Sequence, residues 1–304
     1  MKKILALAIV LVMLSALVAC EASKGDLTSI NDYVAPNYTY TTKTGTFTFA
    51  EAGGNTAIIT GYVGKAEAHE VEIPETVTLA SAEEESTEEE TTEANTTEEN
   101  TSSEKDDNIR VIVGIGDRAF YYCTAMTAVV IPDTVVSIGD WAFAGCTGLT
   151  NVELPAEVTT IGEGAFHGCN ALTNIKLSEN LVKIGAYAFY ECKGLEKIEF
   201  PATLTEIGSG AFFGCQGLTA LDIPAATTII GDLAFYQCNH LESIKINTTA
   251  ENIEFGEYIF WSELKDKITA PADSKAAEYV NSIVISGVGE EVTTQGEETT
   301  EAAQ

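Results

Sequence analysis

Apolar positions between residues 109 and 253 recur every 23 residues. Ile115, Ile138, Ile161, Ile184, Ile207 and Ile230 each open a copy and are each followed by Gly. An Ala-Phe pair comes next, ending at Phe120, Phe143, Phe166, Phe189, Phe212 and Phe235, and a Cys stands three residues after each Phe: Cys123, Cys146, Cys169, Cys192, Cys215 and Cys238. An unbroken period of this length marks a solenoid, in which no copy buries its apolar face alone and neighbours must stack. Each copy also carries an apolar-x-x-apolar-x-apolar triplet, such as Leu149, Val152 and Leu154, or Leu195, Ile198 and Phe200. The in-out-in alternation at its end predicts a short half-buried strand. Pro132, Pro155, Pro201 and Pro224 end that strand, because Pro cannot donate to a ladder. A second short extended piece precedes each Ile, and the Gly that follows fits a tight turn. The fold class predicted is a repeat solenoid of short parallel strands with turns and short helical segments, capped at both ends. Strands stacked about 4.8 Å apart make six coils a rod roughly 30 Å long. The inner Phe residues have coils on both sides, whereas Phe120 and Phe235 border irregular ends and are expected to be less enclosed.

The pattern I-G-x-x-A-F-x-x-C-x-x-L-x-x-apolar-x-apolar-P, in copies from 115, 138, 161, 184, 207 and 230, resembles the BspA-like leucine-rich repeat family of bacterial surface proteins. Departures are small: Ser178 and Asn247 replace the strand-ending Pro, and Met126 replaces the first Leu. The resemblance implies a leucine-rich-repeat solenoid on a bacterial surface. It does not specify a ligand, because function lives in sites grafted on folds.

Outside the repeats the chain divides by composition. Lys2 and Lys3, an apolar run from Ile4 to Ala19 and then Cys20 read as a secretory signal peptide over 1–19. Leu17-Val18-Ala19-Cys20 resembles a bacterial lipobox, which implies that Cys20 receives a diacylglycerol and begins the mature chain. The alternative is an uncleaved anchor, since about 16 apolar residues span a thin bilayer with strain. Residues 20–45 read as a flexible tether. Residues 46–78 read as an N-terminal capping coil: Val71-Glu72-Ile73-Pro74 aligns with Val129-Val130-Ile131-Pro132. Residues 79–108 hold twelve acids and one Lys between 83 and 107 and no aromatic residue. Such a segment buries too little surface to offset its ordering entropy, so it reads as a disordered acidic insertion. The six repeats fill 109–253. Residues 254–286 read as a C-terminal cap, with Asp273 or Ser274 capping a short helix that carries Ala276, Ala277 and Tyr279. Residues 287–304 read as a disordered acidic tail.

The formal charge of −30 changes this picture little, because the insertion and tail carry about half of it. It argues against nucleic acid and against docking on anionic lipid, which need basic clusters. The only membrane contact expected is through the lipid anchor. One Cys per coil reads as a ladder of buried thiols, since pairing would break the equivalence of neighbours. Adjacent thiols lie within reach of a bond, so pairing stays open at this stage.

No enzymatic activity is expected from the sequence. His69, His167 and His240 fall in different registers, and no G-x-S-x-G, Walker loop or H-E-x-x-H is present. The acidic run lacks the spacing of a calcium loop. No metal, cofactor or catalytic residue is expected.

Two solvent-facing columns remain. Val130, Glu153, Lys176, Glu199, Asp222 and Lys245 stand between the inward residues of the main strand, with opposite charges adjacent at Glu153/Lys176, Lys176/Glu199 and Asp222/Lys245. Such pairs set register. Tyr121, Ala144, His167, Tyr190, Phe213 and Tyr236 follow each Phe, with Trp141 and Tyr187 three residues before that column. Trp141, Tyr187, Tyr190, Phe213 and Tyr236 are the candidate partner-binding residues, because large aromatics at a surface anchor partners. The competing reading is that they pack between coils. The function expected is a lipid-anchored surface protein that binds an extracellular protein or glycan. The alternative is an envelope spacer with no dedicated ligand.

Overall fold

The computed structural model describes residues 38–65, 69–78 and 108–283. The signal peptide, Cys20, the acidic insertion up to residue 107 and the acidic tail lie outside the described residues. What is described is a stack of coils held by parallel strands. One ladder runs through the pieces before each Gly: Ser137–Ile138, Thr160–Ile161, Lys183–Ile184, Glu206–Ile207, Ile229–Ile230 and Glu254–Phe255, each parallel to the next and in register at the 23-residue step up to Ile230. The second ladder is the main strand of each copy.

The N-terminal end is built by strands β1 (Tyr38–Thr41), β2 (Gly45–Gly53), β3 (Thr56–Gly64), β4 (Glu70–Glu72), β5 (Thr76–Thr78), β6 (Ile109–Ile115) and β7 (Ala128–Val130). The antiparallel β1–β2–β3 meander joins the array through β3, which runs parallel to β6. The fold therefore already includes Tyr38–Thr41, ahead of the start expected at residue 46. Tyr38 stacks on Phe49 with ring centroids 5.6 Å apart, which ties down a strand that its Thr-rich neighbours disguise as tether. β4 pairs with β7 with Val71 opposite Val129, the register that the Val71/Val129 alignment implies. β5 and β6 are antiparallel, with Thr78 opposite Ile109, so the described residues on either side of the acidic insertion are paired neighbours.

The core is a set of columns, each one residue deep per coil. Phe120, Phe143, Phe166, Phe189, Phe212 and Phe235 are fully buried, and Phe260 extends the column. Consecutive rings lie parallel within 8°, at spacings from 4.9 Å to 5.5 Å. That is the strand repeat distance, so ring thickness and backbone spacing match. Phe120 is not an open end, as its position beside the cap led us to expect. Tyr62 and Phe47 close over it at 5.3 and 6.3 Å. Phe235 likewise has Phe260 beyond it.

The six repeat cysteines are buried thiols. Each Sγ from Cys146 to Cys238 donates to the Phe carbonyl of the preceding coil, at 3.0–3.2 Å. The glycines after each Ile are required for a reason other than turn geometry. Their φ angles are not positive, but a Cβ on Gly162, Gly208 or Gly231 would sit 2.4–2.6 Å from backbone or side-chain atoms of the coil before it. Left-handed backbone falls instead on two other columns. One holds Arg118, Trp141, Gly164, Tyr187, Gly210 and Leu233, and the other Tyr122, Gly145, Gly168, Glu191, Gly214 and Gln237.

The fourth copy departs from its neighbours. The main sheet runs β4, β7, Asn151–Glu153 and Asn174–Lys176, then narrows to a single bridge between Asn174 and Lys197. It resumes with Ala220–Ile223, Ser243–Ile246 and Ile268–Thr269. Phe200, in a place that other copies fill with Leu or Ile, leans edge-on against Phe212 at 5.6 Å. Accordingly Glu199 pairs with Lys197 of its own coil, not with Lys176. The Glu153–Lys176 and Asp222–Lys245 pairs form as the register suggests, both exposed. Helix α1 (Lys275–Ser282) closes the C-terminal end. Ser274, not Asp273, caps it, accepting from the Ala277 N–H at 3.1 Å.

Candidate functional site

The column that follows each Phe forms a second aromatic ladder. It starts at Trp141, whose ring meets His167 at 5.2 Å, and proceeds through Tyr190, Phe213 and Tyr236 to Trp261. His167, Tyr190 and Phe213 lie 4.8 Å apart and parallel within 6°. The two ends are tilted, by 42° at Trp141 and 31° at Trp261. All six rings are half-buried. Stacking covers their flat faces and leaves ring edges toward solvent.

Trp141 and Tyr187 enter this ridge by another route. Both stand in the left-handed column, with φ of 58° and 55°. Each ring lies on the next coil's glycine: a Cβ on Gly164 would be 2.7 Å from the Trp141 ring, and one on Gly210 2.8 Å from the Tyr187 ring. Gly145 under Tyr122 repeats the arrangement. A bulky residue at positive φ costs about 1–2 kcal/mol, which ring-on-glycine packing offsets. Tyr187 also meets Tyr190 edge-on at 6.0 Å and stays 42% exposed.

The structure thus brings all five candidate residues onto one ridge. Packing between coils and exposure at the surface both hold, because each ring does each in part. Two members were missed. His167 belongs to the ladder through its column, a place that metal-ligand spacing does not reveal. Trp261 was hidden by the two extra residues of the seventh coil. Burial holds His167 below the usual histidine range, with the Glu191 carboxylate opposing more weakly. A neutral imidazole suits a stacked position.

Two shallow troughs lie along the main strands. One, of about 490 Å³, is lined by Val130, Glu153, Pro155 and Lys176 among others, and the second, of about 400 Å³, by Lys197, Glu199 and Phe200. Glu153 pairs with Lys176 in the first and Lys197 with Glu199 in the second. A further cleft, of about 610 Å³, opens at the C-terminal end of the ridge, where Tyr236 and Trp261 meet Tyr258 and Tyr279. Among the described residues no group of three or more His, Cys, Asp or Glu is arranged to hold a metal ion, and no helix is long and apolar enough to cross a membrane.

Set against known proteins, the chain matches the model of the BspA type leucine rich repeat region over residues 113–212 and again over 159–279, more than half its length. The chain belongs to the BspA-type leucine-rich repeat family. Among solved structures, a leucine-rich repeat protein from Bacteroides ovatus is 28% identical, with a TM-score of 0.57 over 76% of this chain and 52% of that one. The T. pallidum leucine rich repeat protein is 27% identical, with a TM-score of 0.52 over 66% of this chain and 81% of that one. The chain therefore spans about half the length of the Bacteroides protein. No curated protein matches the chain. Both BspA-type matches fall on the coils that carry the Phe and Cys columns, and the second reaches Tyr279 in α1.

Proposed function

We propose that this BspA-type protein is held at a bacterial surface by a lipid on Cys20 and binds an extracellular protein partner along the aromatic ridge from Trp141 to Trp261. Repeat proteins of this family type serve interaction, and a solenoid offers a long surface for it. The observation that carries the reading is the ridge itself: six rings in line, half-buried, flanked by the exposed ring of Tyr187. Rigid aromatic rings give large contact area at low entropic cost. Because stacking covers the faces of the inner rings, their edges suit protein side chains better than sugar rings, which stack on faces. No catalytic role is proposed. The lipobox Leu17-Val18-Ala19-Cys20 supports the anchoring.

A panel of immobilised matrix and cell-surface proteins, probed with the full chain, tests the ridge. At least one is expected to bind, and Tyr187→Ser together with Tyr190→Ser is expected to weaken it tenfold or more. Binding that ignores both substitutions would place the interface elsewhere. Palmitate labelling of wild type and Cys20→Ser tests the anchor: label retained in Cys20→Ser would refute it.

A further inference from the structure

The seventh coil is the last among the described residues, and there the two aromatic devices that repeat along the array change their surroundings. In inner coils the left-handed aromatic lies on the next coil's glycine, as Trp141 does on Gly164 and Tyr187 on Gly210. Tyr258 occupies the same column, with φ of 53°, but among the described residues no further coil covers it and it is 70% exposed. In the second ladder each inner ring is covered on both faces. Trp261 is the last, stacked on Tyr236 from one side at 5.1 Å. Trp261, Tyr258 and Tyr279 of α1 line the cleft of about 610 Å³ together with Tyr236 and Phe260. Tyr279 is fixed there by stacking on Phe255 at 4.4 Å. A space of this size accepts a small molecule.

The polar lining decides which kind. Glu257 and Glu263 line the cleft together with Ser262 and Ser282, and no Lys or Arg does. Aromatic faces attract cations through their quadrupole, and carboxylates beside them add Coulombic attraction. From this charge complementarity we infer that the C-terminal cleft between Trp261, Tyr258 and Tyr279 is a binding site for a small alkylated ammonium ion. The cleft shares Tyr236 and Trp261 with the end of the ridge, but the inference does not require that the ridge binds a protein.

Titration of the full chain with tetramethylammonium chloride, matched against sodium chloride and followed by tryptophan fluorescence, tests it. A saturable change with a midpoint in the millimolar range is expected, with none in sodium chloride. Tyr258→Gly removes the ring while suiting the left-handed backbone, and is expected to raise the midpoint at least fivefold. Glu257→Gln with Glu263→Gln is expected to do the same without removing a ring. No saturable change, or a midpoint untouched by both variants, would overturn the site. So would saturation by methyl glucoside but not by tetramethylammonium, which would make it a sugar site. Loss of partner capture by the ridge variants with tetramethylammonium binding intact would separate the two sites.

Discussion

The Cys192 thiol donates to the carbonyl of Phe166 at 3.1 Å, and that same carbonyl accepts the Cys169 N–H at 3.2 Å. One oxygen thus closes the turn of its own coil and ties that coil to the next. A buried thiol packs as a small apolar group and still carries a proton to donate. Cys192→Ala is therefore expected to cost about 1–2 kcal/mol, from a small cavity and one buried hydrogen bond. Denaturant melts measure it, and an unchanged midpoint would show that the bond contributes nothing.

The same burial predicts an alkaline limb of stability. Desolvation pushes Cys169 and Cys238 up to about 12 and holds Cys192 and Cys215 well above the usual thiol value. A folded-state value above the unfolded one means that the folded protein holds its protons longer. The contribution is complete below the unfolded thiol value near 9 and is lost as pH rises from there through about 12. Each thiol loses about 1.4 kcal/mol per pH unit in that window. Guanidinium midpoints should be flat in this respect up to pH 8 and fall above 9, with a shallower fall in Cys192→Ala/Cys215→Ala. Iodoacetamide should leave these thiols unmodified until the chain unfolds.

The Phe column is expected to be uniformly costly to breach. Phe166→Ala removes a ring with parallel neighbours at 5.2 and 5.3 Å, a loss of about 3–5 kcal/mol. Phe120→Ala should fall in the same range, because Tyr62 and Phe47 enclose it from the cap side. A central defect also interrupts nearest-neighbour coupling, so Phe166→Ala should broaden or split the unfolding transition. A much cheaper Phe120→Ala would show that the cap does not seal the column.

Much of this was readable from periodicity. A column that stays Phe, Cys or Ile over six copies has no other place than the interior, and the Val71/Val129 alignment already carried the register of the first coil. What stayed hidden depends on contacts between coils. Gly208 is needed because Ala186 of the preceding coil approaches within 2.5 Å of where its Cβ would lie, and spacing within one copy cannot show that. Tyr38 is ordered by Phe49, a partner eleven residues away, against a local composition that reads as linker. Trp261 fell outside the pattern because two inserted residues shifted its number while leaving its place in the ladder unchanged. The alternation of Gly164 and Gly210 with Trp141 and Tyr187 was the one signal that could have revealed the left-handed column.

The acidic insertion should be removable. Thr78 and Ile109 are paired, and the Ile112 N–H donates to the Glu75 carbonyl at 2.8 Å, so the hairpin of β5 and β6 is complete on the folded side. Replacing residues 79–108 with a short Asn-Gly turn shortens a loop of about thirty residues to one of a few. Loop-closure entropy then favours the shortened chain by about 2 kcal/mol. Thermal melts should show an equal or higher midpoint with cooperativity kept. A lower midpoint would mean that the insertion contributes contacts of its own.

Tyr190 and Tyr187 separate stability from recognition on the ridge. Tyr190 is half-buried and stacks face to face with His167 and Phe213, both at 4.8 Å. Aromatic pairs contribute about 0.5–1.5 kcal/mol each beyond area, so Tyr190→Ala should cost about 1–3 kcal/mol and is not neutral, as a freely exposed ring would be. Tyr187 touches that ladder only by its edge and is 42% exposed. At Tyr187 the backbone is left-handed, and Tyr187→Gly relieves it. Loss of the ring over Gly210 acts in the opposite direction, so the net change in the denaturant midpoint should be small, within about 1 kcal/mol. If the ridge binds a protein, Tyr187→Gly nonetheless weakens capture, whereas Tyr190→Ala weakens both stability and capture. The pair is measured by denaturant melts beside binding titrations of the same preparations. A Tyr187→Gly protein that melts and binds like wild type would remove Tyr187 from the interface. One that melts as early as Tyr190→Ala would show that its ring is a packing element after all.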